Sequence, residues 1–154
     1  MAIALRFLSV ATFLFLLISS AAASSEVHDL LEKFGLPKGL LPHLADNYSL
    51  AGDGSFEVQL EHPCYVRFSD LIFYEETITG HISYGSLSGI KGIQVRKNFF
   101  WFPISSIRAD EDVKTIRFDT ATFTEIHPWD EFKDVHDCDK FKLEEIWSSY
   151  AADL

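Results

Sequence analysis

Positive charge is scarce in this sequence: 13 lysines and arginines stand against 23 aspartates and glutamates, a formal net charge of −10. Nucleic acid and anionic lipid headgroups are recognised through a basic footprint, so the balance argues against both as partners and leaves neutral or apolar ligands open. Cysteine is scarcer still. Cys64 and Cys138 are the two present, and neither has a second thiol nearby, which disfavours a CxxC redox pair or a zinc site. Beyond the first two dozen residues no apolar run is long enough to predict a membrane span. Internal repeats and helix-length crossovers between strand-like segments are also missing.

The one long apolar run is N-terminal. Met1 to Arg6 carries a single positive charge, Phe7 to Ile18 is apolar, and Ser19 to Ala23 is a run of small residues. This layout predicts a secretory signal peptide over 1–23, with Ala21 and Ala23 suiting an A-x-A cleavage site. The alternative, an uncleaved anchor, would need roughly 20 apolar residues, more than this core provides. In an exported chain an even pair of cysteines predicts a disulfide, here Cys64 to Cys138, whose long loop is worth up to about 4–5 kcal/mol by chain entropy. Two buried free thiols are the alternative. Asn47-Tyr48-Ser49 is an N-glycosylation sequon and predicts an exposed turn.

Periodicity places the elements. Val27, Leu30, Leu31 and Phe34 follow helical spacing, with Ser25 as the N-cap, Gly35 as the C′ residue and Pro37 preventing continuation. The apolar linker Leu36–Pro42 is expected to pin that helix to a sheet. From Tyr48 onward the pattern is period two: Phe56, Val58 and Leu60, then Cys64, Val66 and Phe68, then Leu71–Tyr74. Thr77 to Ile104 predicts the central hairpin, an alternating strand, a turn over Gly85–Gly89, and a second strand ending in Phe99-Phe100-Trp101-Phe102. Ile116 and Phe118, then Thr120–Ile126, supply the last strands. About eight strands joined by short turns predict a mainly β fold, a single antiparallel barrel or sandwich. Leu143, Ile146, Trp147 and Tyr150 return to helical spacing and predict a C-terminal helix. The expected organisation is a leader over 1–23, a β domain over 24–138 and a helical extension over 139–154.

Candidate chemistry is sparse. Gly85-Ser86-Leu87-Ser88-Gly89 resembles a nucleophile elbow, but leucine holds the central position and the segment joins two antiparallel strands, so Ser86 and Ser88 read as turn residues. Six histidines invite a metal hypothesis. His127, Asp130, Glu131, Asp134, His136, Asp137 and Asp139 gather near the C-terminus, yet they match neither zinc spacing nor a calcium loop. They predict a solvated acidic segment, with no metal or cofactor. His28, His43, His62 and His81 are dispersed. The aromatic group Phe99, Phe100, Trp101 and Phe102 is the ligand-binding candidate. Alternation sends two rings to each face of a strand. The outer pair would lie beneath the N-terminal helix, or line an apolar pocket for a lipid-like molecule.

Several stretches taken together resemble the plant family known as DUF538, a domain of unknown function. They are LLEKFGLPKGLLP at Leu30–Pro42, FEVQLEHPCYVRF at Phe56–Phe68, ITGHISYGSLSGIKGIQV at Ile78–Val95, the FFWFPI block, and the HPWDEF…C ending at Cys138. The likeness runs in order over residues 26 to 138, and the residues after Cys138 look like an extension that the shortest members lack. The resemblance implies a compact β-rich barrel with an N-terminal helix, a distant likeness to the lipid-binding domains of bactericidal permeability-increasing proteins, stress- and defence-associated roles, and hydrolase activity. It transfers no catalytic residue. The expectation is a secreted, apoplastic, non-enzymatic binder of an apolar or lipid-like small molecule. The alternatives are an esterase-like hydrolase acting on cell-wall or lipid esters, and a protein-interaction module using the acidic C-terminal helix.

Overall fold

A computed structural model describes residues 26–139. The leader, its cleavage site, the Ser25 cap and the C-terminal helix fall outside the described residues. Helix α1 (Glu26–Lys33) is followed by a short 3-10 turn (Lys38–Leu40). Eight strands come next: β1 (Ala45–Leu50), β2 (Ser55–Leu60), β3 (Cys64–Arg67), β4 (Leu71–Ser83), β5 (Ser86–Lys97), β6 (Phe100–Asp110), β7 (Thr115–Thr120) and β8 (Thr124–Pro128). A second 3-10 turn spans Trp129–Phe132.

All eight strands belong to one antiparallel sheet of order β1-β2-β4-β5-β6-β7-β8, with β3 pairing on β4. The expected barrel or sandwich does not form: β1 and β8 are the ends of the order, and the sheet is open. Short antiparallel connections make the meander, but the inner face is covered by chain that is not strand. Val27 and Leu31 of α1 and Leu36, Leu40 and Leu41 of the linker are all buried against it, as the apolar linker predicts. The helix ends in a Schellman arrangement, the Leu36 N–H donating to the Leu31 carbonyl at 2.9 Å. The Tyr74 hydroxyl donates to the Leu40 carbonyl at 2.9 Å, and His28 Nε2 donates to the Pro42 carbonyl at 3.2 Å. Burial pushes the Tyr74 hydroxyl far up and, as the leading cause, holds the His28 imidazole below its ordinary 6.5.

The second cover is the return after β8. Phe132 is buried, the His43 N–H donates to the His136 carbonyl at 2.9 Å, and Cys64 and Cys138, 74 positions apart, form the expected disulfide.

The central stretch is three strands, where the alternation predicts a hairpin. The turn is Tyr84-Gly85, with Ser83 opposite Ser86. Tyr84 is 71% exposed, and its hydroxyl donates to Glu111 at 3.2 Å. The glycine-serine segment is mostly strand. Leu87, Ile90, Ile93 and Val95 all face the core although their spacing is not two, because Gly89 (φ 55°) and Gly92 (φ 104°) lie where β5 carries more residues than β6, between the pairs Leu87–Ile107 and Gln94–Pro103. A second turn at Asn98-Phe99 divides the aromatic run, since Lys97 pairs with Phe100. Asn47 is exposed, on edge strand β1 rather than in a turn.

Gly92 tests the bulged register. A Cβ there would lie 2.5 Å from the Thr77 carbonyl oxygen, in a backbone conformation that L side chains disfavour. Gly92→Ala is expected to lower unfolding free energy by about 2 kcal/mol or more in urea titration, whereas Gly52→Ala, with open space around its Cβ, stays within about 0.5 kcal/mol.

Candidate functional site

Strand β8 inverts the pattern that the rest of the sheet follows. Ile126, the apolar residue at its centre, points to solvent and is 66% exposed, while Glu125 and His127 turn inward. Their registers carry them to Phe118 and Ile116 of β7. Inward charges on an edge strand discourage pairing with a further strand. They also need partners, and three other segments supply them. Asp70 comes from the β3–β4 loop, Lys97 from the end of β5, and Glu131 from the 3-10 turn.

Lys97 Nζ lies 2.5 Å from Asp70 Oδ2 and 2.6 Å from Glu125 Oε1. His127 Nδ1 is 3.0 Å from Glu131 Oε2, and its Nε2 is 3.1 Å from Glu125 Oε2 and 3.9 Å from Asp70 Oδ2. The Ser69 N–H donates to Glu131 Oε1 at 2.6 Å. Phe118 and Phe132 meet the imidazole edge-on, at centroid distances of 5.5 and 6.2 Å. Partial burial alone would raise the Glu125 carboxyl; hydrogen bonds from Lys97 and then His127 outweigh it and hold the group below its ordinary value. Glu131 is also held low, burial being outweighed by Ser69 and His127. Burial likewise opposes the charge of Lys97, and its bonds to Asp70 and Glu125 push it up.

Three chemistries can be weighed against this geometry. For hydrolysis, Ser69 Oγ is 3.2 Å from His127 Nδ1, within reach of a base. Glu131 accepts from that same nitrogen, so the nitrogen carries the hydrogen and has no lone pair to take a proton from Ser69. For a metal, Asp70, Glu125 and His127 offer ligand atoms within 4.8 Å of one another. The Lys97 ammonium already stands between the two carboxylates and occupies the cation's place. For ligand binding, the void enclosed beneath the cluster, lined by Phe68, Ile72, Val95 and Ile104 among others, has a volume of ≈ 20 Å³. That is room for about one water molecule. A similar void of ≈ 20 Å³ lies between α1 and the sheet, so that space is packed and holds no lipid-sized chamber. Outside, an open groove of ≈ 330 Å³ is bounded by Lys97, Asn98, Phe100, Phe102, Phe123 and Glu125.

The four aromatic candidates separate. Phe100 and Phe102 line that groove, and Phe102 meets Phe123 edge-on at 5.0 Å. Phe99 is at the turn, 45% exposed. Trp101 lies on the opposite face against Tyr65 and Phe73, at 5.9 and 6.1 Å. It is not beneath α1, which packs instead on the inner face near Phe56, Val58 and Ile82. Ser86 Oγ bonds Ser83 Oγ at 2.9 Å. Ser88 is exposed opposite His81, whose Nε2 donates to the Asp53 carbonyl. The acidic C-terminal group also disperses. His127 and Glu131 enter the cluster, Asp137 pairs with His43 at 2.8 Å, and Asp139 with Arg67 at 3.9 Å. Asp70, Lys97 and Glu125 carry no mark in the sequence that singles them out as site residues. The signal that could have found two members of the cluster is the reversed polarity of Glu125-Ile126-His127 in a chain whose central strands bury most of their apolar positions.

The family model described as "Protein of unknown function, DUF538" matches residues 27–133. The chain belongs to the DUF538 family. Its match takes in the linker, the three central strands and the charged cluster together. An uncharacterized protein of Arabidopsis thaliana, At5g01610, is 31% identical over 85 residues, covering 53% of this chain and 49% of that protein. The chain thus spans about half the length of this curated relative. No solved structure gives a significant match. The disulfide suits an oxidising compartment, and among the described residues no helix is long and apolar enough to cross a membrane.

The cluster makes stability acid-sensitive. Carboxyls held low when folded contribute stability above their unfolded value that is lost as pH falls through the folded one, so Glu125 and Glu131 give a loss below about pH 4.5. His28, held low by burial, adds an earlier loss beginning near pH 6.5, because the unfolded chain takes up a proton there first. Urea midpoints measured from pH 7.5 to 3.5 are expected to fall in these two stages. His28→Gln should flatten the first and Glu131→Gln the second.

Proposed function

We propose that this chain is an exported, non-enzymatic protein that binds an amphipathic small molecule in the open groove beside the charged cluster. The observation that carries the reading is an apolar floor held open to solvent. Phe100 is 67% exposed at the groove that Phe102 and Phe123 also line, next to Lys97 and Glu125. A soluble protein gains nothing in stability from a phenyl ring so exposed, and apolar surface flanked by a few polar groups is the usual composition of a ligand site. The volume suits one ring system or a short acyl segment instead of a whole lipid. Its apolar part would lie on the phenylalanines, with a hydrogen-bonding head toward Asn98 and Glu125. The signal-like leader and the disulfide support work outside the cell, where the family resemblance implies a stress- or defence-associated setting.

Isothermal titration with a series of short-chain fatty acids, their monoglycerides and simple phenolics tests the reading. At least one class is expected to bind, and Phe100→Ala should weaken it about tenfold, the equivalent of 1.4 kcal/mol, with the melting temperature unchanged. Equal binding by the wild type and Phe100→Ala would sink the groove as the site. Turnover of p-nitrophenyl esters abolished by Ser69→Ala would replace the binding reading with an enzymatic one.

A further inference from the structure

The groove at Phe100 is charged as well as apolar. Its floor is the rings of Phe100, Phe102 and Phe123, and its polar rim is Lys97, Asn98, Thr124 and Glu125. Lys97 is the one basic side chain among these lining residues, and it is already engaged, held between Asp70 and Glu125. Glu131 stands at the ring nitrogen of His127 that Glu125 does not face. The cluster therefore sets three carboxylates against one ammonium, and His127 adds at most one more positive charge. The sum is negative in either form of the imidazole. Thr124 does not offset it, since its hydroxyl donates to Asp119 at 2.7 Å, whose charge is already met by Arg117 at 3.1 Å.

A ligand carboxylate meets two obstacles in this groove. To reach the Lys97 ammonium it must stand beside Asp70 and Glu125, a third anion on one cation. Its apolar part must also lie among phenyl rings, whose faces carry negative potential. A ligand ammonium meets the opposite conditions, because the same ring faces attract a cation. Glu125 has acceptor capacity to spare. An ionised carboxylate offers about four lone-pair positions, and Lys97 and His127 take one each. Partial burial opposes the charge of Glu125, but the bonds from Lys97 and His127 outweigh it and keep the group ionised. Its side chain is 29% exposed, so a ligand can reach it. The Asn98 amide, on an exposed turn residue at the same rim, adds a neutral acceptor.

We propose that the groove selects a small amphipathic cation, an aryl or alkyl amine, over an anion of the same size. The apolar part lies on Phe100, Phe102 and Phe123, and the ammonium hydrogen-bonds Glu125 at the rim. The assignment rests on the groove being the binding site, and adds the sign of the head group that the site takes. Neutral heads are admitted, while a fatty acid of matching length is disfavoured by its charge and not by its shape.

Three probes on one carbon skeleton separate charge from shape: phenethylamine, phenethyl alcohol and phenylpropanoate, titrated calorimetrically into the full chain near neutral pH at low salt. The amine is expected to bind about tenfold more tightly than the alcohol, and the carboxylate about tenfold more weakly. Added salt should shrink the advantage of the amine and leave the affinity of the alcohol unchanged. Phe100→Ala should weaken amine and alcohol alike, and Glu125→Gln the amine alone. Because Glu125→Gln also removes bonds within the cluster, the comparison of probes on the wild type carries the test. Equal affinities for amine and carboxylate, both lowered by Phe100→Ala, would overturn the charge selection and leave the groove standing. An amine affinity unchanged by Phe100→Ala would put the cation elsewhere on this acidic surface and overturn the assignment. No binding by any of the three probes would overturn the groove and the assignment together.

Discussion

An open sheet cannot dry its own inner face. In a barrel the far wall supplies the missing layer, and in a sandwich a second sheet does. Here β4, β5 and β6 turn isoleucines, leucines and valines inward, each worth about 1.5–3 kcal/mol when buried, and the chain on either side of the sheet has to cover them. The N-terminal cover is α1 with its linker, pinned by the Tyr74 hydroxyl on the Leu40 carbonyl. The C-terminal cover is the return through Phe132 to Cys138, crossing the linker where the His43 N–H meets the His136 carbonyl. The disulfide ties this second cover to β3.

Much of this is legible in the sequence, because each part leaves a strong local signal. Strict alternation marks β2 and the first half of the central stretch, the i, i+3, i+4, i+7 spacing marks α1, and the pair of cysteines marks the bridge. Closure is not legible. Strand number and short turns are the same for a barrel and for an open meander, and whether β1 meets β8 is a property of the whole chain. The two bulges are hidden for a local reason: Gly89 and Gly92 look like turn residues, when their positive φ serves to keep Ile90 and Ile93 facing inward.

The site is less legible than the fold. The aromatic block stands out in the sequence, yet a turn at Asn98-Phe99 resets the alternation, so simple alternation gives Trp101 a neighbour it does not have. The charged cluster draws on four separate segments, from Asp70 to Glu131, and spacing along the chain holds no trace of such convergence. His127 is visible as part of an acidic tract. Its actual neighbours, Glu125 on its own strand and Glu131 one helical turn on, are close in sequence but indistinguishable there from solvated surface charge.

Strand β8 shows what the cluster does to the fold. A slip of one residue against β7 would turn Ile126 inward, a gain of about 1.5–3 kcal/mol by burial alone, and would send Glu125 and His127 to the surface. Hydrophobic patterning therefore favours the wrong register at this edge. Opposing it are the pairs of Glu125 with Lys97 and of His127 with Glu131 and Asp70, which exist only when His127 and Glu125 point inward. The last strand is thus held in place by charge against its own apolar preference. Neutralising those charges would leave two nearly matched alignments of β8, while the central strands, whose register rests on buried isoleucines, would have only one.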